Sequence, residues 1–296
     1  MTASRPTRRG VAWTARAFRA RRLLPLALAL PLLIAFAGCD WQDDKCSCPV
    51  VDTQPPAAPR GLYSVTGDGR VTLGWLSNTE PDVKGYYVWW SESFTGSPYH
   101  LLAQVLTCRD CYWMEYVHTG AGNGRTLYYA VSAYDEAGHE SELSQEEVWD
   151  TPRPEGHAAI ANARDPIGYA SAGFDLHGRS VLPADSPAVD FYYLYYDEGS
   201  GGYLVAGSEY YEAETTEIQD MGYTAGLDEI DFAPDDAGWS PTGTAEPVLG
   251  HTYVLLTRDG HYAKIRLTYV GPERVSFDWA HQLVPWNRQL SAPEGR

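Results

Sequence analysis

Apolar residues in this chain recur at every second position, in short runs cut by glycine- and proline-rich turns, and that pattern constrains the fold more than any other feature. Val71, Leu73 and Trp75 alternate, as do Tyr86, Val88 and Trp90, and then Leu127, Tyr129, Val131 and Ala133. Period two puts each set on one face of a strand, whereas a helix would scatter it. The composition agrees: 21 Tyr and 10 Trp suit strands, and 28 Gly with 20 Pro suit turns. The chain of 296 residues therefore reads as all-β, with antiparallel strands in two domains. The boundaries fall at 55–152 and 157–290, with a short proline-bearing linker at 149–156.

The N-terminus follows different rules. Seven arginines and no acid occupy residues 1–38, and an apolar run from Leu23 to Ala37 follows the last arginine. This is the anatomy of an export signal, too short for a comfortable membrane span. The motif Phe36-Ala37-Gly38-Cys39 resembles the lipobox of bacterial lipoproteins. The resemblance implies that Cys39 becomes the first mature residue and carries the acyl chains, palmitate among them. It also implies a cell-envelope protein held on a membrane by its lipid. Asp40 leaves the choice of inner or outer membrane open, and residues 39–54 form an acidic tether.

Beyond residue 38 the chain has 15 basic and 39 acidic residues, a net charge of −24. A surface so acidic repels nucleic acid, so a nucleic-acid partner is excluded. The other cysteines come in two pairs, Cys46 with Cys48 and Cys108 with Cys111. Export favours disulfides. A Cys46–Cys48 ring would be strained and a Cys108–Cys111 bridge is feasible. Cross-pairing of the two couples, which would staple the tether to the first domain, is the favoured arrangement, and no metal site is assigned.

In the first domain, Pro56-x-x-Pro59-x-Gly61-Leu62, Val71-x-Leu73-x-Trp75, Gly85-Tyr86-x-Val88 and Val131-x-Ala133-x-Asp135-x-x-Gly138-x-x-Ser141 resemble a fibronectin type III domain. Leu127 stands where that family usually has its corner tyrosine. The resemblance implies an immunoglobulin-like sandwich that acts as a spacer or interaction module without chemistry of its own. Trp89, Trp90 and Trp113 are the candidate aromatics for a sugar- or protein-binding stripe.

The second domain shows strand signals at 188–198, 202–207, 251–270 and 274–283, and a turn-rich acidic stretch at 224–241 with one short helix. Asp259-Gly260 suggests a two-residue hairpin turn. In that register Val254 faces Ile265 and Leu256 faces Ala263, leaving Lys264 and Arg266 on the other face, toward water or acids. The hairpin with Arg274-Val-Ser-Phe-Asp-Trp-Ala-His281-Gln resembles the C-terminal part of HmuY-type lipoproteins. That resemblance implies haem held by two axial histidines. No family motif marks which of the eight histidines would ligate. His251 and His261 lie at opposite ends and on opposite faces of the hairpin, which rules out that pair, while His177 with His281 stays open together with the other pairs. The acids Asp228, Glu229, Asp231, Asp235 and Asp236 lack the spacing of a calcium loop. No nucleophile elbow, zinc-protease or phosphate-loop motif is present. The expectation is a non-enzymatic binding or scaffold protein with a protein or glycan partner and no cofactor, with haem capture as the alternative.

Overall fold

A computed structural model describes residues 52–93, 98–146, 148–196, 201–208, 216–235 and 237–291. Cys39, Cys46, Cys48 and Asp236, with the whole signal segment, lie outside them. Among the described residues, no helix is long and apolar enough to cross a membrane.

The first domain is built from β1 (Arg60–Gly67), β2 (Arg70–Leu76), β3 (Val83–Ser91), β4 (His100–Leu106), β5 (Trp113–Thr119), β6 (Leu127–Asp135) and β7 (Val148–Asp150). Every pairing is antiparallel, in two sheets ordered β1-β2-β5 and β4-β3-β6-β7. This is a sandwich of the fibronectin type III kind. The alternating residues read from the sequence close its interior: Val71, Leu73, Trp75, Tyr86, Val88, Val131 and Ala133 are all fully buried. Trp75 and Tyr86 meet edge to face at 5.4 Å, and the Tyr86 hydroxyl accepts the Asn78 N–H at 2.8 Å. Leu127 sits in the same core.

The second domain contains β8 (Glu155–Ala161), β9 (Gly173–Asp175), β10 (Ser180–Leu182), β11 (Phe191–Tyr196), β12 (Gly201–Ala206), β13 (Glu217–Tyr223), β14 (Thr244–Ala245), β15 (His251–Leu256), β16 (Tyr262–Val270) and β17 (Arg274–His281). They form two five-stranded antiparallel sheets, β10-β9-β11-β12-β14 and β13-β15-β16-β17-β8. Phe174, Phe191, Phe277 and Trp279 interlock between them, with ring centroids 5.2–5.9 Å apart. The short helix expected within 224–241 is a single 3-10 turn, Leu227–Glu229.

The β15–β16 hairpin departs from the expected register by one residue. Thr252 faces Arg266, Val254 faces Lys264 and Leu256 faces Tyr262. The loop holds three residues instead of two. Thr257 N–H bonds to His261 O at 2.8 Å, Gly260 N–H bonds back to Thr257 O at 2.9 Å, and Gly260 takes φ +86°. The Thr257 hydroxyl bonds both the Asp259 carboxylate and His261 N–H, which favours this longer loop with its glycine bulge. A slip of one residue exchanges the two faces of a strand. Tyr253, Leu255, Ala263 and Ile265 therefore enter the main core, and Lys264 is fully buried rather than solvated.

Lys264 helps to fasten the chain's end. Its ammonium donates to the carbonyls of Leu227 and Ile230 and to the Ser291 hydroxyl. Burial pushes its pKa well down, Arg153 adds to that, and Asp228, Asp231 and Glu155 oppose it. Three residues of the acidic 224–241 stretch are used here. Asp228 faces the Ser291 hydroxyl at 3.2 Å, Asp235 pairs with Arg288, and the Asp231 carbonyl accepts the N–H groups of Leu290 and Ser291.

The final segment then reaches the first sandwich. Ser291 O accepts Thr66 N–H at 2.6 Å, and the fully buried Arg153 donates to Leu290 O at 2.5 Å and Glu155 at 2.9 Å. Residues 151–154, read from the sequence as part of a linker, are buried.

Candidate functional site

On the outward face of the three-stranded sheet, period two sends Trp113, Glu115 and Val117 of β5 into solvent while Met114 turns inward. Trp113 is 48% exposed and Tyr112, just before the strand, 75%. In register, Tyr63 of β1, Gly74 of β2 and Glu115 of β5 lie side by side. Gly74 is required there, because a Cβ at that position would stand 2.4 Å from the Tyr63 ring. The Tyr63 ring thus lies across the glycine and meets Trp113 at 5.7 Å and 80°. Trp113 meets Tyr112 at 5.8 Å and 85°. The three rings form a stepped ridge, each nearly perpendicular to the next.

A disulfide fixes one end of this ridge. Cys108 and Cys111 are bonded to each other with Cα atoms 5.2 Å apart, and Cys111 N–H closes the turn onto Cys108 O at 3.2 Å. This replaces the cross-pairing favoured from sequence: the two cysteines close a turn of their own, leaving neither free to staple the tether. Immediately after the turn come Tyr112 and Trp113, and Tyr112 O accepts Ser77 N–H at 3.0 Å. The rings are thus carried on pinned backbone.

Beside them lies a cleft of about 420 Å³, lined by Tyr112, Arg109, Ser77, Asn78, Thr79 and Glu80 among others. Its polar groups are varied. The Ser77 hydroxyl is buried with no hydrogen-bond partner, and Arg109 is largely exposed, 3.5 Å from Glu136. Burial acts to raise the Glu80 carboxyl, but hydrogen bonds from Ala57 N–H, its own backbone and Asn78 outweigh it, and the pKa is lowered. Aromatic faces beside mixed donors and acceptors are the combination that binds a polyhydroxyl ligand: ring faces take its C–H surfaces, and the polar groups take its hydroxyls.

The three tryptophans expected to form one stripe do not share a surface. Trp89 and Trp90 are consecutive on β3 and point to opposite faces. Trp89 lies outward beside Tyr87, its indole N–H committed to the Ser132 hydroxyl at 2.9 Å. Trp90 turns toward the core, between His100 and His118. Trp113 belongs to the other sheet. Tyr63 and Tyr112 take the places expected for Trp89 and Trp90. Tyr112 was legible as the neighbour of Trp113, whereas Tyr63 depends on a cross-strand glycine.

The histidine pair His177 and His281 is brought together, with ring centroids 6.3 Å apart. His251 pairs instead with Asp220 at 3.0 Å. The space beside His177 and His281 is about 230 Å³ and is faced by Asp175, Asp190 and Asp259. A haem plane needs a longer, apolar slot, and this space does not offer one.

No family model matches the chain. It is 28% identical over 141 residues to an amylopullulanase of Thermoanaerobacterium thermosulfurigenes, a stretch covering 48% of this chain and 6% of that protein. With an amylopullulanase of Thermoanaerobacterium saccharolyticum the identity is 27% over 141 residues, 10% of that protein. The chain thus spans a tenth or less of the curated relatives it matches. Among solved structures, an Fn3-like protein from Clostridium thermocellum is 29% identical over 35% of this chain and all of its own, with a TM-score of 0.27. A DUF4466 family protein from Parabacteroides merdae covers 77% of this chain and 99% of its own at 9% identity, with a TM-score of 0.37.

Proposed function

We propose that the chain is a non-enzymatic envelope lipoprotein, anchored through Cys39, whose fibronectin type III sandwich binds a neutral glycan along Tyr63, Trp113 and Tyr112. The observation that carries this reading is the ridge itself. Two large aromatic rings are held in solvent on backbone pinned by a disulfide and a strand, next to a cleft with an unpaired buried hydroxyl. Rigid, amphipathic rings of this kind bind at low entropic cost. The strongly acidic chain disfavours anionic polymers and leaves neutral ones. The partial match to amylopullulanases supports a carbohydrate ligand and makes pullulan and starch the first polymers to try. The second sandwich and the clamped C-terminal segment support the first as a stiff base.

Affinity electrophoresis of the mature chain through gels containing pullulan, starch or β-glucan tests the binding. Retardation by one polymer, lost in Trp113→Ala with the fold intact, is the expected result. Equal retardation of the wild type and Trp113→Ala, or none by any neutral glycan, overturns the glycan reading and leaves a protein partner as the object of search. Anchoring is tested separately. Cys39→Ser should abolish labelling by palmitate and release the protein from membranes, and persistent labelling would remove the lipobox assignment.

A further inference from the structure

Val275, Phe277 and Trp279 of β17 point into the second sandwich, and the next residue in that row is His281, where the two sheets part. His281 is 1% exposed, and neither of its ring nitrogens has a hydrogen-bond partner. A buried imidazole without partners is costly, and such a group calls for an explanation. The ring lines the 230 Å³ space at the mouth of the sandwich, together with His177 on the exposed β9–β10 turn.

The charge around it has one sign in excess. Asp175, Asp190 and Asp259 line the same space, with Arg258 the cation among the lining residues. Asp190 is nearly buried, and its Oδ2 accepts Leu176 N–H at 2.8 Å. Its pKa is raised to about 7, first by burial and then by Asp175 and Asp259, against the Leu176 hydrogen bond and Arg258. His261 stands 5.5 Å from His281, with its Nδ1 3.2 Å from Asp259 Oδ1.

We propose that this mouth binds a divalent transition-metal cation of the zinc class, with His281 and His177 as nitrogen donors and Asp190 as an oxygen donor. Imidazole with carboxylate suits zinc, nickel or copper better than calcium or magnesium. Two imidazoles sharing a tetrahedral zinc at about 2 Å put their ring centres roughly 5 Å apart, so the 6.3 Å between His177 and His281 has to close by about 1 Å. His177, on its exposed turn, supplies the remaining adjustment. Among the described residues, only Asp52, Asp135 and His139 already hold three donor atoms within 4.8 Å. That group is satisfied from within, since Asp135 accepts from Gly138 N–H, His139 N–H and the His139 ring.

Titration calorimetry of the chelator-treated full chain with zinc, and separately with calcium, tests the site. One zinc equivalent should bind and raise the melting temperature, with calcium at least tenfold weaker. His177→Ala should weaken zinc at least tenfold while leaving the metal-free melting temperature unchanged, and His281→Ala should do the same wherever it folds. Binding should survive the double change Cys46→Ser with Cys48→Ser. Unaltered zinc affinity in His177→Ala, or loss of the equivalent in the cysteine variant, overturns the proposal.

Discussion

Burial favours the neutral form of the Asp150 carboxyl, and its replacement by asparagine would measure by how much. It is fully buried, and its Oδ1 lies 2.7 Å from the Thr66 hydroxyl, which also faces Ser291 O. One hydroxyl proton cannot serve two acceptors. A protonated Asp150 resolves the conflict by donating to Thr66, which then donates to Ser291. Burial raises the pKa of Asp150 to about 7, against hydrogen bonds from Thr66 and Ser64 and the charge of Arg153. Because the folded pKa lies above the unfolded 3.8, the stabilisation is complete below 3.8 and is lost as pH rises toward 7. The slope is about 1.4 kcal/mol per pH unit, and the whole window amounts to about 4 kcal/mol. Asp150→Asn keeps the shape and the donor and removes the titration. Urea denaturation of both proteins from about pH 5.5 to 8 compares them directly, other titrating groups cancelling in the difference. Relative to the wild type, the variant should gain about 2 kcal/mol between pH 5.5 and 7 and then level off. A stability difference that does not change with pH would refute a neutral Asp150 and the proton relay through Thr66.

Arg153→Ala should cost about 1–3 kcal/mol, because it orphans Leu290 O and removes a partner of the partly exposed Glu155; calorimetry should then resolve two melting transitions in place of one. Gly74→Ala should displace the Tyr63 ring and cost about 1–3 kcal/mol through overpacking, with glycan retardation falling while the disulfide stays intact. Cys108 and Cys111 should resist thiol reagents until reduced, which peptide mapping of the labelled chain reads directly.

The first sandwich was legible because its signals are local. Alternation fixes which face each of Val71, Leu73 and Trp75 takes, and glycine and proline fix where strands stop. The second domain was legible as strands but not as register. Asp259-Gly260 suggests a two-residue turn, yet the Thr257 hydroxyl draws the chain into a three-residue loop, and that slip carries Lys264 from surface to interior. Sites followed the same division. Trp113 was visible, but its partner Tyr63 is set by a contact across strands, and Trp89 and Trp90 were separated by the alternation that defines their own strand. His177 and His281 are far apart in sequence, and nothing in it distinguishes them from the other histidine pairs; their proximity, and the place of His281 at the end of an inward-facing row with both nitrogens free of partners, come from the fold.

The returning C-terminal segment has a mechanical consequence. A tension drawn between the two sandwiches would not be taken up by a slack hinge, because residues 151–154 are themselves buried and Ser291 is latched to Thr66. The load would fall in parallel on that latch, on Arg153 and on the β8 edge, and yielding would require several bonds to break together. Such a molecule transmits pull from one end to the other with little stretch, as a strut does, and its first yield point under force should be the release of residues 284–291.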